Sequence, residues 1–82
     1  MNPLHFNILV DLRTAGKFGQ SLDRQLPMLR VSGHRGLTLP ELETAMRDLS
    51  DKSFATPFEG ALGGKRWRIT ALGESALVEA GA

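Results

Sequence analysis

The chain has 82 residues and a formal net charge of +1, with 41 % hydrophobic and 23 % charged side chains. That composition excludes global disorder and, at this length, allows one small domain around a single core, residues 1–82. Near-neutrality excludes the strongly basic class of nucleic-acid binders, and the absence of cysteine excludes disulfides, thiolate metal sites and cysteine nucleophiles.

The longest apolar run near the start, Ile8-Leu9-Val10, is too short for a signal peptide or a membrane span, so a soluble, cytoplasmic protein is expected. Asn2 followed by Pro3 is an N-cap and first-turn pair, and Leu4, Ile8, Leu9 and Leu12 recur at helical spacing behind it. Gly16 is placed to end this helix. Lys17 to Gln20 is a short connector with room for a minor strand. Ser21 caps a second helix, with Asp23 near its positive end and Leu22, Leu26 and Leu29 on its apolar face. Pro27 is expected to kink or split that helix. Ser32 to Gly36 reads as a loop.

The third helix carries the best start signal. Thr38 and Glu41 have capping-box spacing, Pro40 is tolerated in the first turn, and Leu39, Leu42, Ala45, Met46 and Leu49 continue a buried stripe that ends near Asp51 to Ser53. Phe54 to Phe58 alternates as a strand, both phenylalanines on one face and Pro57 marking an edge. After a glycine-rich loop, Lys65 to Ile69 alternates again, with Trp67 and Ile69 inward and Arg66 and Arg68 outward. Thr70 caps a last helix, whose Leu72, Ala76, Leu77 and Ala80 are assigned to the core. The expected fold class is α+β and mostly helical.

Three helices, a two-stranded hairpin and a closing helix resemble the winged helix-turn-helix superfamily of prokaryotic, including bacteriophage-related, DNA-binding regulators. The phrases that carry the resemblance are Met46-Arg47-Asp48-Leu49-Ser50-Asp51-Lys52-Ser53-Phe54 and Arg66-Trp67-Arg68-Ile69-Thr70-Ala71-Leu72-Gly73. It covers the chain well from Leu37 onward and the earlier part through helix order. Two departures stand out: Ser53 replaces a usual glycine, and the Ser32–Leu37 connection is longer than a tight helix-turn-helix turn. The resemblance implies a DNA-binding transcriptional regulator with double-stranded DNA as partner and, commonly, a homodimer.

Charge qualifies that implication. Residues 1–40 hold five lysines and arginines against two aspartates, residues 41–59 two against five carboxylates, and residues 60–82 three against two. The acidic block falls on the third helix, which in the resembled fold would read the major groove. There only Arg47 suits a bidentate contact to guanine, and Glu43 is spaced to pair with it at i, i+4 for about 0.3 kcal/mol. The candidate DNA contacts are therefore Lys65, Arg66 and Arg68 on the hairpin, Arg47 on the third helix, and Arg30, His34 and Arg35 around the loop after the second helix, with Arg24 nearby. Arg66 and Arg68 also fit an ordinary solvated strand face. Trp67, Phe54 and Phe58 are better explained as the apolar lid that fastens a hairpin to helices than as a recognition surface.

Other chemistry finds little support. His5 and His34 lack metal-ligand spacing, none of the serines has a nucleophile-elbow context, and Gly60 to Lys65 lacks the full phosphate-loop pattern. No enzyme, cofactor, membrane segment or small-molecule site is expected. The alternative function is a protein–protein interaction or dimerisation module, with Val78 and Phe6 or Val10 as an outer seam. A third is one module of a larger complex without activity of its own.

Overall fold

Local signals set most element boundaries. In the computed structural model, which describes residues 1–82, the Asn2 side-chain oxygen accepts the His5 backbone N–H at 2.8 Å and opens α1 (Pro3–Ala15). Gly16, at φ +62°, ends it, and a short 3-10 turn (Gly16–Phe18) leads to α2 (Leu22–Val31). Helix α3 (Leu39–Asp51) starts on the complete capping box: the Thr38 hydroxyl accepts the Glu41 N–H at 3.3 Å, and the Glu41 carboxylate accepts the Thr38 N–H at 3.0 Å. Strands β1 (Ala55–Glu59) and β2 (Lys65–Ile69) pair antiparallel. Thr70 then caps α4 (Ala71–Glu79), its hydroxyl accepting the Gly73 N–H at 3.0 Å.

Pro27 neither breaks nor splits α2, which runs unbroken across it. The carbonyl it leaves without a helical donor is that of Asp23, an exposed first-turn residue that water can serve. Ser21 occupies the N-cap position of α2, but its hydroxyl makes no capping bond. Ser53, standing where the resembled fold has glycine, takes the left-handed conformation at φ +63° that glycine would take.

The connector after α1 does contribute a minor strand, one residue long. Gln20 bridges Trp67 with both backbone bonds, N–H to carbonyl at 2.8 and 2.9 Å, so β2 lies between Gln20 and β1. Trp67 faces Pro57 across β1–β2. Because Trp67 gives both of its backbone groups to Gln20, the position opposite needs no N–H, which is why an edge-strand proline fits there. The register sets Ala55, Pro57, Trp67 and Ile69 on one face and Thr56, Phe58, Arg66 and Arg68 on the other. Phe58 therefore shares the arginine face rather than the core face; its half-buried ring lies against Gly19.

The core gathers around α1. Ile8, Leu9 and Leu12 meet Leu29 of α2, Leu42, Met46 and Leu49 of α3, Ala55 and Trp67 of the hairpin, and Leu77 of α4. Leu39, Leu72 and Ala80, assigned to buried stripes, are exposed instead. Both flanking helices present a narrower face to α1 than their apolar residues allow, and α4 is fully buried only at Gly73 and Leu77. One core member is polar: Gln25 is 0 % exposed, at the centre of the Leu22–Leu29 stripe, and its Nε2 donates to the Asp11 carboxylate at 3.1 Å while its Oε1 has no partner.

His5 is the other buried polar group. Burial is the main cause that lowers its pKa below the ordinary histidine value; Lys52 and the N-terminal ammonium add to the lowering, and Asp48, 3.9 Å away, opposes it. The linkage sign follows. Above about pH 6.5 neither folded nor unfolded chain carries this proton; below it the unfolded chain binds a proton that the folded chain resists, and stability falls until the pH passes the folded pKa. Urea unfolding midpoints at pH 7.5 and 5.5 test this: the drop at pH 5.5 should be smaller for His5→Gln than for the parent chain. An equal drop in both would remove His5 as its source.

Candidate nucleic-acid interface

Helix α3 sorts its charges by face. Its outermost line, opposite the buried stripe, is Pro40, Thr44, Arg47 and Asp51, all exposed. Glu41 is committed to the capping box, and together with Asp48 it borders a groove against α1 that also holds Leu4 and His5. On the opposite flank, toward the hairpin, the carboxylate is Glu43. The acidic block counted along the sequence is thus divided around the helix.

That hairpin-side flank opens a cleft of about 420 Å³, lined by Glu43, Arg47 and Ser50 of α3, Pro57 and Lys65 of the hairpin, and Trp67. Trp67, 6 % exposed, is both core member and cleft wall, and its indole Nε1 is buried without a hydrogen-bond partner. The Lys65 ammonium stands 4.9 Å from the Trp67 ring centroid, which holds the cation beside the cleft. Arg47 and Glu43 do not form the expected ion pair: the one acid–base contact within 4.0 Å in the molecule is His5 with Asp48. Arg47 and Lys65, from elements distant in the chain, therefore bring two unpaired cations to one cleft against one carboxylate.

The other candidates have different surroundings. Arg66 is half-buried, and its Nε and Nη2 donate to the carbonyls of Phe18 and Gly19 at 2.9 and 3.1 Å, tying the connector after α1 to the hairpin. Two of the five guanidinium N–H donors are thus used inside the fold, and Arg66 staples the connector to the hairpin. Arg68 is exposed on the same face, its guanidinium 5.0 Å from the Phe58 ring centroid. Arg30 donates from Nε to the Leu37 carbonyl at 2.8 Å and fastens the loop before α3. His34 lies 2.8 Å from the Asn7 side-chain amide nitrogen, which holds the same loop to α1. Arg35 is exposed in the turn. None of Arg30, His34 and Arg35 lines the cleft, and two of the three serve the loop's own structure.

Ser50 and the wall formed by Trp67 were not singled out from the sequence. Serine at i+3 from Arg47 and i+7 from Glu43 was the available signal, since that spacing puts all three on one helical face. Elsewhere no three His, Asp or Glu side chains converge on one point, and no helix is long and apolar enough to cross a membrane. No family model, no curated protein and no solved structure matches the chain.

Proposed function

We propose that this chain is a winged-helix DNA-binding protein, a small regulator of transcription, that grips duplex phosphates from Arg47 on α3 and Lys65 on the hairpin. The observation that carries this reading is the shared cleft: two unpaired cations from distant elements stand together, while the carboxylates Glu41 and Asp48 of the same helix face the other way. The one-residue strand at Gln20, paired to β2 as a third strand, agrees with a winged-helix arrangement of the sheet. Arg68, exposed on the opposite face of the hairpin, and Arg35, exposed in the turn before α3, lie outside this cleft. Binding is mainly electrostatic on this reading, because one arginine on α3 offers little base readout.

Titration of a fluorescent duplex at several salt concentrations tests it. The parent chain should bind with an affinity that falls as salt rises, and Arg47→Ala and Lys65→Ala should each lower the log–log salt slope by about one. Both residues are exposed, so the thermal midpoint should hardly move. Undetectable binding at low ionic strength would end the proposal.

The alternative, an interaction or dimer module, keeps less of its seam. Phe6 and Val10 are packed against the core, and Val78, 67 % exposed, remains of the three.

A further inference from the structure

The hairpin tip is apolar where a phosphate-binding surface has no need to be. Leu62 is 103 % exposed and Phe18 is 73 % exposed, and these two come from segments far apart in the chain. A single exposed hydrophobe is ordinary. This pair is assembled: both side chains line one groove, with Phe58 behind them and Lys17 and Arg66 at the rim. The Arg66 staple onto the Phe18 and Gly19 carbonyls fixes Phe18 against the hairpin. The Gly60–Gly64 turn is closed by two backbone bonds of 2.9 Å, Gly60 N–H to Gly64 and Gly63 N–H to Gly60, so Leu62 projects from a defined turn.

Two cations border the pair: the Lys17 ammonium is 5.7 Å from the Phe18 ring centroid, and Arg66 lines the same groove. A polyanion with an apolar interior matches this pattern, and duplex DNA is one: phosphates line the groove, and behind the polar base edges of its floor lie apolar base faces that an opened step exposes.

Resting on the DNA reading above, we propose that Leu62 and Phe18 form a wedge that enters the minor groove, partly unstacks one base step and kinks the duplex, while Lys17 holds a flanking phosphate. Apolar wedges of this kind bend DNA by angles on the order of tens of degrees. The unstacking cost is offset by burying two side chains that otherwise stand in water. A lipid surface is the weaker match. One leucine and one phenylalanine carry fewer apolar carbons than a single myristoyl chain, which alone anchors only marginally.

The test uses a duplex labelled at both ends with an energy-transfer pair, so that affinity and bending are read together. Leu62→Ala and Phe18→Ala should each weaken binding by about tenfold, leave the salt slope unchanged and return the duplex to its unbent end-to-end distance. Leu62→Met, which keeps an apolar chain, should retain both affinity and bend. A parent chain that binds with a normal salt slope but leaves the duplex straight, with Leu62→Ala binding equally well, would overturn the wedge and leave the phosphate reading standing. No binding by the parent chain would remove both. Vesicles of phosphatidylserine and phosphatidylcholine form the second arm: binding to them that is lost in Leu62→Ala, with DNA affinity unchanged, would reassign the tip to lipid.

Discussion

Gly19→Ala should lower stability by about 3 kcal/mol or more, a large share of what a domain of this size possesses. Two costs add. Gly19 has φ +66° and ψ −171°, a region essentially reserved for glycine, and an L-residue held there is strained by about 1–3 kcal/mol. A Cβ at this position would also meet the Trp67 carbonyl and the Phe58 ring. Neither can give way freely, because Trp67 is locked to Gln20 by two backbone bonds and Phe58 lies under the Arg68 guanidinium. Gly16→Ala supplies the control. Gly16 has a similar φ of +62°, yet nothing lies within 4 Å of its added Cβ, so that variant carries strain without collision. Thermal melts should place Gly19→Ala well below Gly16→Ala, itself below the parent, with about 4–8 °C for each kcal/mol. Equal midpoints for the two variants would mean the close approach of connector and sheet is absent in solution.

Those contacts explain how the hairpin is held. The connector after α1 offers Gln20 to β2, the carbonyls of Phe18 and Gly19 to Arg66, and bare backbone at Gly19 to Phe58. One short segment thus fixes the hairpin's orientation relative to the helices, and with it the distance from Lys65 to Arg47. Arg66 ties that segment to the strand, on which Lys65 and Arg68 are exposed.

What was legible in the sequence was what neighbouring residues decide among themselves. The Asn2–Pro3 start, the Thr38–Glu41 box, the Thr70 cap and the alternation through Trp67 and Ile69 all rest on interactions within four residues, and each appears as read. Partners that lie far along the chain left no such trace. Gln25 sits in a helical stripe that periodicity would give to a leucine, and only Asp11 on the facing helix makes its burial tolerable. Arg66 looks like a solvent residue by alternation, and its bonds go to a segment that spacing does not connect to it. A charge count hides position for a related reason: along residues 41–59 it adds Glu41, Glu43 and Asp48 together, whereas 100° per residue separates them onto opposing flanks of α3. The Glu43–Arg47 spacing permitted a pair that does not form, since an exposed i, i+4 contact is worth too little to fix either side chain.

Gly73→Ala is expected to run against helix propensity. In an exposed helix, alanine in place of glycine stabilises by as much as about 1 kcal/mol. Here the added methyl would point at the Phe54 carbonyl and the Ile69 side chain. The carbonyl is held: it accepts the Thr70 N–H at 3.1 Å, and the Thr70 hydroxyl donates to the neighbouring Ser53 carbonyl. This is the crossing where the end of α3, the start of the hairpin and the first turn of α4 meet. Ser53 is already in a left-handed conformation there, which leaves little freedom to relax. The collision should exceed the propensity gain, for a net loss of about 2 kcal/mol. Ser75→Ala, on the exposed side of the same helix, should shift stability slightly upward, by a few tenths of a kcal/mol at about the scale of propensity alone. Chemical denaturation of both variants reads the two signs. A Gly73→Ala chain as stable as the parent would mean that α4 stands further from the hairpin than this crossing allows.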